Sequence, residues 1–105
     1  MGFQENLAGL ASADHLARIE LDGHEDLAGA IENKPGSQGS LRVYLHLAVK
    51  YGRIDAAAAR EGLALYGEHA DDARDHPGKH PNIDRLLGVL ADDLILTPRL
   101  VPAEG

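Results

Sequence analysis

A run of seventeen residues, HADDARDHPGKHPNIDR (His69–Arg85), constrains this chain more than any other stretch. A helical pattern leads into it and another leads out, with Pro77 and Gly78 between them. Proline lacks the amide that a helix interior needs, and it disfavours helical backbone in the residue before it, here His76. Glycine then permits the reversal. The chain must turn a helix–helix corner at this point, and the corner collects three of the six histidines (His69, His76, His80) and four aspartates.

The rest of the chain is read outward from that corner. Phe3, Leu7 and Leu10 share one face of a short helix over residues 3–10. From His15 the period changes. Ala17, Ile19 and Leu21 alternate with Arg18 and Glu20, Asp22-Gly23 supplies turn chemistry, and Leu27, Gly29 and Ile31 resume the alternation, which predicts a β-hairpin over residues 16–32. The KPGSQGS loop follows, with Ser40 as the expected cap of a helix that runs to Tyr51 and stops at Gly52. On that helix Leu41, Tyr44, Leu45, Ala48 and Val49 form the apolar face. Asp55 is positioned to cap a second long helix reaching Asp75, and Asn82 to cap a third. Residues 94–101 (LILTPRLV) predict a final strand, which Pro98 confines to an edge or a bulge. Helical stripes and alternating strands together predict an α+β fold, in which a small antiparallel sheet, hairpin plus C-terminal strand, packs against three helices and carries a short N-terminal helix.

At 105 residues the chain is expected to form one domain, residues 1–105, around one core. With a single Phe, three Tyr and no Trp, that core must come from aliphatic residues and alanine. Leu45, Leu65 and Leu87 fall at the centres of the three helical stripes and are the expected core residues. A formal charge of -7 excludes the positive footprint of a general nucleic-acid binder. The chain has no cysteine, hence no disulfide and no thiolate chemistry. No window has the length of a membrane span, and the N-terminus lacks a secretory pattern. These features point to a cytoplasmic protein that meets neither nucleic acid nor membrane.

Three places could carry chemistry. At the corner, a continuous helix wheel puts Leu65, His69, Asp72 and His76 on one face, the two polar pairs at i, i+3 and i, i+4. His80 can fold back after the turn. Imidazole and carboxylate suit a divalent transition metal, so His69, Asp72, His76 and His80 are the candidate ligands. The plain alternative is a solvated helix end whose histidines answer the helix dipole. The second place is KPGSQGSLR, where Lys34, Ser37, Gly39, Ser40 and Arg42 precede or open a helix and could cradle an anion. The alternative there is a capped loop. Third, Arg42, His46 and Lys50 make a basic row at i, i+4 and i+8, suited to an acidic partner or a second copy of the chain, or else simply solvated.

Three segments, GFQENLAGL, ENKPGSQGSL and HPGKHPNIDRLL, resemble a family of small bacterial proteins, domain of unknown function 2322. The resemblance extends over nearly the whole chain. It implies a single bacterial cytoplasmic domain, and it implies no catalytic residue, because the family carries no assigned activity.

From the residues themselves, the leading expectation is a small binding or regulatory protein with a metal or small-ligand site at the corner. One alternative is a protein–protein interaction module, which could be homo-oligomeric through the basic row and a sheet edge. The other is a small acid–base enzyme, with His76 as general base, Asp72 orienting it, and the Lys34–Ser40 loop holding an anionic substrate.

Overall fold

The structure, a computed structural model, describes residues 2–103. Met1, Glu104 and Gly105, the ends of the expected 1–105 domain, lie outside the described residues. In chain order the elements are α1 (Phe3–Ala8), β1 (Leu16–Asp22), β2 (Gly29–Glu32), α2 (Gln38–Tyr51), α3 (Ala56–Tyr66), α4 (Glu68–Asp75), α5 (Pro81–Asp92) and β3 (Thr97–Pro102). The fold is α+β, with the strands in one antiparallel sheet of order β2-β1-β3. The C-terminal strand therefore lies beside the first strand of the hairpin.

Alternation sets which side of the sheet meets the helices. Leu16, Ile19 and Leu21 of β1 and Ile31 of β2 are buried, while Glu20 and Asp22 face outward. A register shift between Leu16 and Arg18 bulges β1 where it pairs with β3. Ala103 N donates to His15 O, so alternate residues of β3 turn their amides towards β1. Pro98 and Pro102 have the opposite parity and occupy the open edge, where a missing N–H costs no ladder bond.

Two of the expected helix starts move. Helix α2 begins at Gln38 with Ser37 at the cap position, because the Ser37 hydroxyl donates to Glu32 O at 2.6 Å and ties the loop to the end of β2. Helix α5 begins at Pro81, whose fixed φ suits a first helical position, so His80 takes the cap position expected of Asn82. Asp55 does cap α3, accepting from Ala58 N at 3.0 Å, and Gly52 ends α2 in the left-handed region at φ 74°.

The largest correction concerns the helix expected over Asp55–Asp75. It is two helices, broken at Gly67, whose φ of 58° and ψ of -124° are open to glycine and strained for any other residue. The break rotates α4 relative to α3, so the continuous wheel over Leu65, His69, Asp72 and His76 does not exist. It also changes the core. Helix α3 buries Ala59, Gly62, Leu63 and Tyr66, an i, i+3, i+4, i+7 stripe in which two of the four are small, while Leu65 is only half-buried. A Cβ at Gly62 would stand 2.7 Å from Leu86 Cδ1 and 2.9 Å from Leu47 Cδ1. That close approach makes Leu86 the centre of the α5 stripe, fully buried, and leaves Leu87 at its margin. Leu45 is buried as expected. Val49, assigned to the same apolar face, is 74% exposed, because α2 instead buries Val43 and Leu47 between the sheet and α3.

Candidate functional site

The corner is built by short-range bonds around Asp72. His76 N donates to Asp72 O and ends α4, Gly78 turns the chain at φ 94°, and Lys79 N donates to His76 O. Gly78 N also donates to Asp84 Oδ2 at 2.9 Å, which fastens the turn to the first turn of α5. The reversal brings two side chains back onto Asp72. His80 Nε2 lies 2.6 Å from Asp72 Oδ2, and Lys79 Nζ lies 2.9 Å from the same oxygen. On the other oxygen, His76 Nδ1 stands 3.1 Å from Oδ1. Hydrogen bonding by His80, then by Lys79, holds the Asp72 carboxyl well below the usual carboxylate range. An ionised carboxylate only accepts, so His80 donates to it from Nε2, and its other ring nitrogen, Nδ1, is left without a hydrogen-bond partner.

Beside this knot lies a small aromatic stack. Phe3 stacks on Tyr66 with ring centres 5.3 Å apart and meets the His69 ring edge-on at 5.0 Å. The His69 and His80 rings are 5.8 Å apart, tilted by 47°. Tyr66 donates its hydroxyl proton to Ser40 Oγ at 2.7 Å, and Phe3 N donates to Glu68 Oε1 at 2.7 Å, which moors α1 to the start of α4. Burial pushes the Tyr66 hydroxyl far above its ordinary range, so it stays a neutral donor. These groups line an open cleft of about 440 Å³. Phe3, Leu7, Tyr66 and Ile83 supply its apolar lining, and His69, Lys79 and His80 supply its nitrogen donors, with Gln38 and Ser40 contributed by α2.

Of the four candidate metal ligands, the structure brings His69 and His80 together at the cavity and keeps Asp72 behind His80. His76 is 61% exposed in its side chain and does not line the cavity, so the more enclosed imidazole–carboxylate pair is His80/Asp72. Among the described residues, no three histidine, aspartate or glutamate side chains gather to hold a metal ion. Asp72 has both oxygens engaged, one of them by an ammonium.

The residues proposed as an anion cradle are dispersed. Gly39 and Ser40 line the cavity, while Lys34 is exposed and the Ser37 hydroxyl donates to the carbonyls of Glu32 and Lys34. Arg42 caps the C-terminus of α1, donating from Nη2 to Leu7 O at 2.6 Å and Leu10 O at 2.8 Å. The rest of the basic row is also taken up internally. His46 Nε2, Lys50 Nζ and the Tyr51 hydroxyl all converge on Glu61 of α3, at 2.5, 2.6 and 2.8 Å. Lys50, then His46 and Tyr51, outweigh partial burial and lower Glu61 to about 2. The i, i+4, i+8 spacing is real, but it faces a carboxylate on the next helix.

Sequence reasoning missed Phe3, Tyr66 and Lys79 as parts of the candidate site. The available signals were the scarcity of aromatics, which makes each ring a candidate landmark, and the glycine directly after Tyr66. No described helix is long and apolar enough to cross a membrane. Comparison with curated proteins and with solved structures returns no match. The family model described as an uncharacterised protein conserved in bacteria, DUF2322, matches residues 3–100, and with that match the chain belongs to this bacterial family.

Proposed function

We propose that this protein is a small cytoplasmic binding protein whose cleft between α1, α2 and the α4–α5 corner takes a small organic anion with a flat apolar portion. One observation carries the reading: three nitrogen donors, His69, Lys79 and His80, meet the Phe3 ring and its aliphatic neighbours at a single cavity. Its volume of about 440 Å³ falls within the roughly 300–1,000 Å³ of small-molecule sites. Apolar lining with a few convergent polar groups is the usual composition of such a site. The His69 imidazole N–H and the Lys79 ammonium donate well to carboxylate or phosphate oxygens, and His80, whose Nε2 is engaged by Asp72, does so from Nδ1 in its protonated form. The flat portion would lie against Phe3, which Tyr66 and Gly39 hold in place, a Cβ at Gly39 standing 3.1 Å from Phe3 Cζ.

The test is a melting-temperature titration with benzoate and phenyl phosphate against acetate and inorganic phosphate. The aryl anions are expected to raise the melting temperature saturably, since binding to the native state alone stabilises it. Phe3→Ala should erase the preference for the aryl anions, and His80→Ala should weaken all of them. Equal responses from parent and His80→Ala would overturn the reading.

The 2.6 Å bond from Asp72 to His80 favours a second reading, acid–base catalysis on the bound anion. In that reading Asp72 orients His80, not His76, and His80 Nδ1 accepts the proton. Hydrolysis or isomerisation of an aryl ester or keto acid, abolished by His80→Ala and preserved in His76→Ala, would support it.

A further inference from the structure

The two imidazoles at the cavity are arranged for more than hydrogen bonding. Asp72 engages Nε2 of His80, so Nδ1 is the ring nitrogen left for a ligand. Although His80 sits at the cap position of α5, its side chain makes no capping bond there, so Nδ1 is not spent on the helix. A carboxylate behind an imidazole is the outer-shell pattern that orients metal-bound histidines. His69 faces the same space, and its ring packs on Phe3 and His80. Metal–nitrogen bonds of about 2.0–2.1 Å on one tetrahedral ion put two ring centres roughly 5–6 Å apart. The observed separation is 5.8 Å.

We infer that His69 and His80 bind one divalent transition-metal ion of the zinc class in the cleft, with Asp72 as its outer-shell partner. The inference rests on the reading of the cleft as the binding site, and it names what anchors the anion there. Lys79 already balances the charge of Asp72, and ligation takes each imidazole in its neutral form. Two protein ligands leave coordination positions open, and a carboxylate or phosphate oxygen of the bound molecule would fill one. The ion draws the organic anion in, while the Phe3 wall selects its shape. His76, on the far oxygen of Asp72, takes no part.

The experiment is a calorimetric titration of zinc chloride alone into tag-free, EDTA-treated and dialysed full-length protein. One equivalent should bind saturably. His69→Ala and His80→Ala should each weaken it at least tenfold, and Asp72→Asn by about 10–100-fold, the range for outer-shell partners. His76→Ala should leave it within twofold of the parent. Should a variant fail to fold, the electron paramagnetic resonance of one equivalent of copper(II) on the parent protein reads the ligands directly. Coupling to two imidazole nitrogens supports the pair. No stoichiometric zinc binding, no imidazole coupling, or parent-like affinity in both His69→Ala and His80→Ala overturns the inference. If zinc fails while phenyl phosphate still stabilises the metal-free protein through Phe3, the inference falls and the cleft reading stands. If zinc binds through His69 and His80 but no anion responds, the inference stands and the anion reading falls.

Discussion

Glu61 and Asp72 are built from the same parts and end in opposite situations. Each carboxylate accepts from a histidine Nε2 and a lysine Nζ and has a third donor, Tyr51 for Glu61 and His76 for Asp72. The Glu61 donors all lie on α2, so the knot staples two helices that are already packed. Directly beside it Gly62 touches Leu86 and Leu47, with no space behind. The Asp72 donors come from the turn that follows it, and behind His80 lies the cavity. Identical polar chemistry is a staple where the neighbouring space is full. Where it is hollow, the same chemistry leaves an oriented imidazole for something else to meet.

The comparison breaks most visibly in the packing beneath Glu61. Leu86→Ala should lower unfolding free energy by about 2–5 kcal/mol, measured in urea, because it opens a cavity where Leu86 is fully buried against Gly62. Leu87→Ala, at the margin, should cost clearly less. Equal losses would mean that α5 turns a different face to Gly62.

Removing the charge at each knot should separate the two roles. Glu61→Gln should cost about 1 kcal/mol, since its side chain is 23% exposed and its bonds are charge-assisted. Asp72→Asn should cost less stability and instead lose ligand and zinc affinity. An Asp72→Asn protein that is less stable than Glu61→Gln but binds normally would reverse the assignment.

Acid titration sharpens the same contrast. Folding lowers Glu61 from 4.5 to about 2, so its contribution is complete above about pH 4.5 and is lost as pH falls towards 2. The stability difference between parent and Glu61→Gln should follow that course, and a difference that persists at pH 2 would refute it. The smallest expected effect is at His76. His76→Ala should change stability by no more than about 0.5 kcal/mol and leave binding intact, as for an exposed surface residue.

How far the fold and the site can be read from the sequence depends on the range of each interaction. The hairpin, the C-terminal strand, the Asp55 cap and the Gly52 stop follow from contacts within a few residues, and alternation or cap chemistry announces them. The break at Gly67 is not legible. A glycine inside LALYGEHADDA costs a helix only about 1 kcal/mol, so the period runs through it undisturbed. What meets the break is distant: Tyr66 stacks on Phe3, sixty-three residues earlier in the chain, and Asn6 Nδ2 donates to Leu65 O at 2.9 Å. The corner is recognisable as a cluster of histidine and aspartate, but the pair that meets most closely there is not. Asp72 and His76 advertise themselves at i, i+4, whereas Asp72 and His80 meet across a turn at a spacing of eight that no helical period marks. The basic row illustrates the converse. Its period is plain, yet its acid partner stands on another helix and its face is spent.

The prolines of β3 bear on how this protein behaves when it is concentrated. With Pro98 and Pro102 on the outward parity, Leu100 holds the one amide left among those three positions. Across the sheet, the Glu32 carbonyl at the end of β2 is already taken by the Ser37 hydroxyl and Lys34 N. The β3 margin therefore offers no row of free donors for another chain to copy, and the β2 margin has one carbonyl fewer to offer. Growth by strand addition, the common route from crowded solution to fibril, loses most of its donors along the β3 margin of a sheet only three strands wide.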